Sequence, residues 1–210
     1  MKKLNLTDFE QAGLLFLKRT QIWTFKGYKR TKSGKLIQFW EDEKKNLVPT
    51  EGLNSMQFYT WQMQVTSGIT PFQQTAYIGI IDNASFGALA ATDTAAKITT
   101  SAPSGGTNNW KENTGYSQTT RQVFTPAPNP PTTGYVDNSA SVANFTVTTG
   151  FTLNGGFIVG QAINTAGTVV TNGSTKGGTL GVLLGEVSAS SPQAFTTGQV
   201  ISIQISSQQS

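Results

Sequence analysis

The sequence contains no histidine and no cysteine. A Ser-His-Asp or Cys-His nucleophile needs an imidazole base, so catalysis of that kind is excluded. Zinc, haem and iron–sulfur sites of the ordinary types take their ligands from the same two residue types, so they are excluded too. Disulfide bonds are excluded as well. We therefore expect a non-enzymatic chain with no catalytic residues, no bound metal and no cofactor.

Charged residues are scarce, at 12% of the 210 residues, against about 25% in a typical soluble domain. Residues 1–60 contain 11 Lys or Arg and 6 Asp or Glu, whereas the 150 residues after them contain 4 and 5. Thr, Ser, Asn and Gly make up 83 of the 210 residues. This step in composition predicts a basic N-terminal arm and hairpin at 1–45 and a β-sandwich domain with a neutral, polar surface at 46–210.

The first residues lack the pattern of a cleavable signal. Lys2 and Lys3 suit the basic start of one, but Asp8 and Glu10 interrupt the apolar stretch that must follow. The apolar residues at 13–17 are too few to span a bilayer. We therefore expect a soluble chain that is not exported by a cleavable signal and has no membrane partner.

Local signals predict a helix and a hairpin near the N-terminus. Thr7 and Glu10 have the spacing of a capping box, which marks the start of a helix. From residue 22 the apolar period changes to two, which indicates strands. The predicted elements are a helix at 5–19, a hairpin at 22–40 with its turn at 31–34, a charged loop at 41–45 and an irregular connection at 46–54.

Short apolar or alternating stretches, separated by Gly-, Asn- and Pro-rich segments, fill the rest of the chain. The run at 76–81 (AYIGII) is almost continuously apolar, as is typical of a strand buried on both faces. Asn154-Gly155-Gly156 is predicted to be a hairpin loop between two short strands. The remaining predicted elements are strands at 56–65, 119–124, 142–148, 151–153, 157–159, 180–187 and 199–205, a weak helix at 84–97 and a proline-rich extended segment at 126–131.

Many short strands without helical crossovers favour an all-β fold, an antiparallel β-sandwich or jelly-roll-like domain with a short N-terminal helical or extended arm. Within each strand, alternation selects the side chains that point inward. In the last strand, for example, Ile201 and Ile203 alternate with Ser202 and Gln204. The predicted core consists of Trp61, Tyr77, Ile78, Ile80, Phe145, Val147, Phe157, Val159, Leu183, Ile201 and Ile203.

Acid–base chemistry would depend on the carboxylates alone. A glycosidase needs two of them across one cleft, and only residues 41–43 cluster in sequence, beside two lysines. That cluster is interpreted as a solvated surface, and pairing of carboxylates that are distant in sequence stays open. Residues 175–185 (TKGGTLGVLLG) lack the Gly-Lys-Ser/Thr order of a phosphate loop and are predicted to be a tight turn before a buried strand.

The basic hairpin has three interpretations. Its cations are interleaved with aromatic residues, a combination that can stack bases and hold phosphates. Lysines crowded at a turn can equally protect a sheet edge from aggregation. They can also steer the chain to a negatively charged protein lattice. The residues concerned are Lys26, Lys29, Arg30, Lys32 and Lys35, with Trp23, Phe25, Tyr28, Phe39 and Trp40.

An ordered series of segments resembles the small structural proteins of tailed bacteriophages. The resemblance covers about three quarters of the chain and leaves out the first 45 residues. The segments are 46–54 (NLVPTEGLN), 76–81 (AYIGII), 110–124 (WKENTGYSQTTRQVF), 136–145 (VDNSASVANF), 155–157 (GGF), 174–185 (STKGGTLGVLLG) and 198–205 (GQVISIQI). It implies a β-rich virion component without catalysis, in either the head or the tail.

The leading hypothesis is a capsid decoration (cement) protein that lies on the capsid surface and is assembled in the host cytoplasm. Its partners would be the major capsid protein and other copies of itself, as a dimer or trimer. The alternatives are a tail-fibre or baseplate-associated domain that binds a host glycan, and a nucleic-acid-binding module working through the basic arm. The predicted shell contacts are Phe9, Leu14, Leu15, Leu17, Lys18, Arg19, Trp23, Lys29 and Arg30.

Overall fold

The computed structural model describes residues 19–46, 48, 75–83, 88–99, 110–126, 135–163, 169–171 and 173–209. These residues form strands and two 3-10 helices, at Ala95–Lys97 and Ser139–Ser141. The strands are β1 (Arg19–Arg30), β2 (Leu36–Lys45), β3 (Ala76–Asp82), β4 (Ile98–Thr99), β5 (Trp110–Lys111), β6 (Gln122–Phe124), β7 (Tyr135–Asp137), β8 (Ala143–Thr146), β9 (Phe151–Gly160), β10 (Ala162–Ile163), β11 (Val169–Thr171), β12 (Val182–Phe195) and β13 (Val200–Gln209). The all-β prediction is confirmed.

The hairpin predicted at 22–40 is present and longer than expected. β1 and β2 pair in antiparallel fashion, and Gly34 adopts a φ of 82° in the turn between them. The charged loop predicted at 41–45 is wrong, because these residues continue β2 opposite the first half of β1. Charges suit an edge strand, where they oppose pairing with another chain. Arg19 begins β1 and does not end a helix.

The first sheet joins the two ends of the described chain. Its order is β2-β1-β13, and β7 and β8 both pair with the other side of β13. β1 pairs with β13 along its length, from Arg19 opposite Gln209 to Tyr28 opposite Val200. The hairpin at 19–45 is therefore part of the same sheet as the last strand of the predicted 46–210 domain.

The second sheet has the order β12-β9-β3-β6. The hairpin loop predicted at 154–156 is wrong, because β9 runs through these residues without a turn. Gly156 pairs with both Val187 and Ile80. A Cβ atom at Gly156 would lie 2.9 Å from the Trp23 ring, so here the missing side chain makes room for an aromatic residue of the facing sheet.

The two sheets enclose the main core. Trp23 and Phe25 of β1, Phe145 of β8 and the isoleucines of β13 pack against residues of β3, β9 and β12. A second apolar cluster covers the opposite face of the β3–β9 pair and includes Ala95, Ile98 and Trp110. β3 is therefore buried on both faces, as its sequence predicts. Every predicted core residue that the structure describes is buried. Trp61 lies outside the described residues.

Four element predictions are corrected at their boundaries. Residues 88–94 of the weak helix predicted at 84–97 are not helical, and only Ala95–Lys97 forms a 3-10 helix. Of the strand predicted at 119–124, only Gln122–Phe124 is a strand, and the Arg121 side chain before it is buried. β8 is shorter than the predicted 142–148, and β12 starts at Val182 and continues to Phe195. The predictions at 5–18, 47, 49–54, 56–65, 84–87 and 127–131 fall outside the described residues.

Candidate functional site

The structure distributes charge unevenly between the hairpin and the rest of the described chain. Beyond residue 60 the sequence has 4 Lys or Arg and 5 Asp or Glu, and none of these side chains is exposed. The charged residues that are exposed, where burial is described, all lie in the hairpin: Lys29, Arg30, Lys32, Lys35, Glu41, Glu43 and Lys45. The tip of the hairpin carries only positive charge.

The predicted shell contacts fall into four groups. Phe9, Leu14, Leu15, Leu17 and Lys18 lie outside the described residues. Trp23 is 0% exposed and packs in the core, so its side chain does not form part of the described surface. Lys29 and Arg30 are exposed at the end of β1. Arg19 begins the same strand at its opposite end.

Two aliphatic side chains lie beside the cations at the tip. Leu36 is 40% exposed and Ile37 is 44% exposed at the start of β2. Ile37 pairs with Lys29, and Leu36 pairs with Arg30. Residues directly opposite in an antiparallel pair point to the same face. Each face of the tip therefore presents one cation next to one aliphatic side chain, a combination that the sequence analysis did not identify.

Hydrogen bonds hold the shape of the tip. The Thr31 amide donates to the Lys35 carbonyl at 2.8 Å, and the Gly34 amide donates to the Thr31 carbonyl at 2.9 Å. The Arg30 guanidinium donates to the Gly34 carbonyl at 3.1 Å. Among the described residues, no carboxylate forms an ion pair with Lys29, Arg30, Lys32 or Lys35. These cations remain available to a partner.

The outer face of the first sheet holds a shallow depression of about 150 Å³, lined by Thr24, Lys26, Tyr28, Val142, Ser202 and Gln204. Glu41 forms an ion pair with Lys26 at 3.4 Å. Trp23 and Phe25 are completely buried, and Phe39 and Trp40 pack against the main core. Of the hairpin's aromatic residues, only Tyr28 contributes to this outer face, so the interleaved aromatics do not form a base-stacking platform.

A buried ion pair anchors the segment at 173–178. Arg121 and Glu112 are paired through two hydrogen bonds, of 3.0 and 2.7 Å. Arg121 also donates to the carbonyls of Gly173 and Gly178, at 2.7 and 2.6 Å. The Gly177 amide donates to Glu112 at 2.5 Å. Burial raises the pKa of the Glu112 carboxyl, against the opposing effects of Arg121 and the Gly177 amide.

Lys176 completes this anchor. Its ammonium donates to the carbonyls of Thr114 and Tyr116, at 3.2 and 3.1 Å, and lies 4.3 Å from the centre of the Tyr116 ring. Burial raises the pKa of the Tyr116 hydroxyl, and the neighbouring Glu112 charge raises it further. The tight turn before a buried strand predicted at 175–185 is confirmed, because turns at 173–177 precede β12, which starts at Val182. Lys176 is a structural cation there.

A second buried cluster brings together Asp93, Lys97 and Glu186. Lys97 forms an ion pair with Asp93, and Asp93 also accepts a hydrogen bond from the Ala90 amide at 3.1 Å. Burial raises the pKa of Glu186 to about 8, and the negative charge of Asp93 adds to this effect. The two carboxyl groups are close enough for their charges to interact, without the geometry of a regular hydrogen bond. This is the pairing of distant carboxylates that the sequence left open.

These clusters are enclosed by protein, so they do not form the two-sided cleft of a glycosidase. In the described part of the chain, no group of three or more acidic, histidine or cysteine side chains is placed to hold a metal ion. None of the helices within the described ranges has the length and apolar character needed to cross a membrane.

The chain has no match among protein-family models, curated proteins or solved structures. The fold and the candidate sites define an all-β sandwich with a basic hairpin tip.

Proposed function

We propose that the chain is a non-enzymatic structural protein of a tailed-phage virion, and specifically a capsid decoration protein that binds the outer shell at many sites. Its partners are the major capsid protein and other copies of itself, as a dimer or trimer. The resemblance of its segments to phage structural proteins supports the class of protein. The exposed cations and aliphatic side chains of the hairpin tip support a contact with an acidic surface that also buries apolar area.

One observation carries the proposal: the exposed charge of the described residues is confined to the hairpin, and its tip is purely positive. A concentrated positive patch accelerates association with an acidic surface. The exposed Leu36 and Ile37 add apolar area that becomes buried in a contact. A shell with acidic patches around shallow apolar depressions is the partner that this tip fits.

The remaining surface suits a protein that is packed among copies of itself. Beyond residue 60, the charged side chains are buried or half-buried and engaged in the interior. Neighbouring copies can therefore approach through neutral Thr, Ser, Asn and Gln side chains with little charge repulsion. Because this surface is neutral, the charged hairpin determines how the protein is oriented on the shell.

The first experiment measures the copy number of this chain in purified virions, by quantitative mass spectrometry against the major capsid protein. We expect a simple stoichiometric ratio to the major capsid protein. A handful of copies per particle would contradict the decoration role and indicate a tail component.

A binding experiment tests the tip directly. Particles that lack the chain are mixed with the wild-type protein or with the double variant Lys29→Glu/Arg30→Glu, which reverses two exposed charges. We expect the variant to bind at least about tenfold more weakly, because it loses attraction and gains repulsion. Lys45→Glu, at the opposite end of β2, is the matched control and should bind nearly as well as wild type. Equal loss in both variants would contradict a specific role for the tip.

A glycan-binding tail component is the second candidate, and the depression beside Tyr28 favours it. Aromatic, hydroxyl and amide groups together can bind a sugar. Binding of the wild-type protein to a glycan array, lost in Tyr28→Ala and accompanied by no affinity for heads, would support this alternative. Nucleic-acid binding remains the third candidate, and a steep loss of DNA affinity with salt would support it.

A further inference from the structure

The cluster of Asp93, Lys97 and Glu186 contains the three kinds of group needed to form an amide bond between side chains. Lys97 follows Asp93 by four residues, and its ammonium is in direct contact with Asp93 Oδ1. Asp93 Oδ2 accepts the Ala90 amide, which fixes the orientation of the carboxylate. Glu186 belongs to β12, far away in sequence. The fold thus places an amine and a carboxyl group together, with a second carboxyl group beside them.

The two carboxyl groups of the cluster are buried, and the Lys97 side chain is 20% exposed. Asp93 and Glu186 are both 0% exposed. Val187 packs in the main core, and successive strand residues alternate, so Glu186 points to the other face of the second sheet. That face carries the cluster of Leu183, Ala95 and Ile98. Neither Glu186 oxygen makes a hydrogen bond of regular geometry, and the groups it interacts with are the Asp93 carboxyl and the backbone at Ala90.

We propose that Asp93 and Lys97 condense into an intramolecular amide bond inside the folded protein, with Glu186 transferring the protons. The proposal is independent of the proposed function. For the bond to form, one proton passes from the Lys97 ammonium to the Asp93 carboxylate, directly or through Glu186. The neutral amine is then a nucleophile next to a neutral carboxylic acid.

The reaction balances without any co-reactant. Lys97 Nζ attacks Asp93 Cγ, a C–N bond forms, and the C–O bond to Oδ1 breaks. Oδ1 leaves as water with two of the three protons that the ammonium carried, and the third remains on the amide nitrogen. Oδ2 becomes the amide oxygen and keeps the hydrogen bond from the Ala90 amide. That amide is also placed to stabilise the negative charge that develops on Oδ2 during the attack.

Glu186 is suited to the proton transfers by its protonation state. Its pKa is raised to about 8, mainly by burial, so near neutral pH it carries a proton and exchanges it readily. Glu186 can deliver this proton to the departing Oδ1 and then recover one from Nζ. The group is regenerated, and the net product is one amide and one water.

The amide closes a ring over residues 93–97, which include the 3-10 helix. Ala95 and Ile98 of this segment cover the second sheet. The bond therefore fixes the covering segment in its folded conformation, and it persists in denaturant because it is covalent.

Mass spectrometry of the purified full-length protein tests the proposal. We expect the wild-type chain to weigh one water less than its sequence requires. We also expect trypsin to leave the bond after Lys97 uncut, in a peptide that contains both Asp93 and Lys97. A wild-type chain of full mass that is cleaved after Lys97 would overturn the proposal.

Two variants distinguish the amide from a different loss of water and test the part played by Glu186. Lys97→Arg keeps the positive charge but cannot form the amide, so it should have its full mass. A succinimide at Asp93 also lacks one water, but it would persist in Lys97→Arg, and that result would overturn the proposal.

Glu186→Gln keeps the shape of the side chain and removes the proton donor, so it should fold, as judged by circular dichroism, and retain its full mass. Complete water loss in Glu186→Gln would overturn the role of Glu186.

Discussion

At the scale of single residues, Glu186 makes stability depend on pH. Its pKa is about 8 in the folded protein and about 4.5 when exposed, so the folded state holds a proton that the unfolded chain releases between these values. Stability from this group is fully present below about pH 4.5 and is lost as the pH rises through 8. Burial is the larger cause, so this direction does not require a charge on Asp93.

We expect the wild-type protein to lose a few kcal/mol of unfolding free energy between about pH 5 and 8, at roughly 1.4 kcal/mol per pKa unit. Glu186→Gln cannot ionise, so its stability should change less over the same range. Urea unfolding at several pH values measures both proteins. Parallel pH profiles would show that Glu186 is not the titrating group.

Gly79 shows how single residues set the distance between β3 and the side chains of β9. A Cβ atom there would lie 2.1 Å from Cζ of Phe157, whose ring packs 5.0 Å from Trp110 and 4.9 Å from the Arg121 guanidinium. We expect Gly79→Ala to destabilise the protein by about 1–3 kcal/mol or more, because the ring cannot move without disturbing these contacts.

Thermal unfolding of Gly79→Ala, compared with Gly150→Ala, measures this effect. The nearest atom to a Cβ at Gly150 is 3.3 Å away, so this control should change much less. Adding Phe157→Leu to Gly79→Ala should recover part of the loss. No recovery would mean that crowding by Phe157 is not the cause.

At the scale of elements, the Arg121–Glu112 pair fastens the segment at 173–178 to the second sheet. Replacing either residue leaves the charge of the other one, or the carbonyls bound by Arg121, buried and unpaired. This lowers the free energy of unfolding by about 3–5 kcal/mol. We expect Arg121→Met and Glu112→Met each to be strongly destabilising. The double variant should lose less than the sum of the two, since it leaves no unpaired charge. Additive losses in urea unfolding would contradict direct coupling between the two side chains.

The elements that could be predicted from sequence are those in which period and composition agree. β3 is predicted by its continuous apolar run and β13 by its strict alternation, and both lie in the core as expected. The sequence predicts two strands in place of β9, because Gly155 and Gly156 have the composition of a turn. In the structure these glycines leave room for the Val187 carbonyl and the Trp23 ring, which belong to other strands. The charges at 41–45 have the composition of a loop, yet they form an edge strand.

The buried clusters could not be predicted because their partners are brought together only by sheet topology. Asp93 and Glu186 belong to different strands or connections, and no local pattern links them. The scarcity of charge beyond residue 60 was the available signal. In a chain that uses so few charged residues there, each one is buried or half-buried.

At the scale of the whole molecule, the charges that stabilise the fold are separate from the exposed hairpin charges, to which the proposed function assigns recognition. The charges beyond residue 60 hold covering segments on the sandwich, whereas the charges of the hairpin face solvent. β1 pairs with β13 and contributes Trp23 and Phe25 to the core, so the tip is carried by a strand of the main sheet. A partner that binds the tip would therefore be connected directly to a strand of the main sheet.

The tip should make association with an acidic partner sensitive to salt. Charges separated by more than a Debye length, about 8 Å at physiological ionic strength, are largely screened. We expect the association rate with acidic shells to fall as salt rises, and the dissociation rate to change less. Lys32→Gln/Lys35→Gln should reduce the slope of this dependence, because it removes two of the four tip cations without altering Leu36 or Ile37. Kinetic binding measured over a salt series gives both rates. A slope that is the same in wild type and variant would show that the tip does not face the partner.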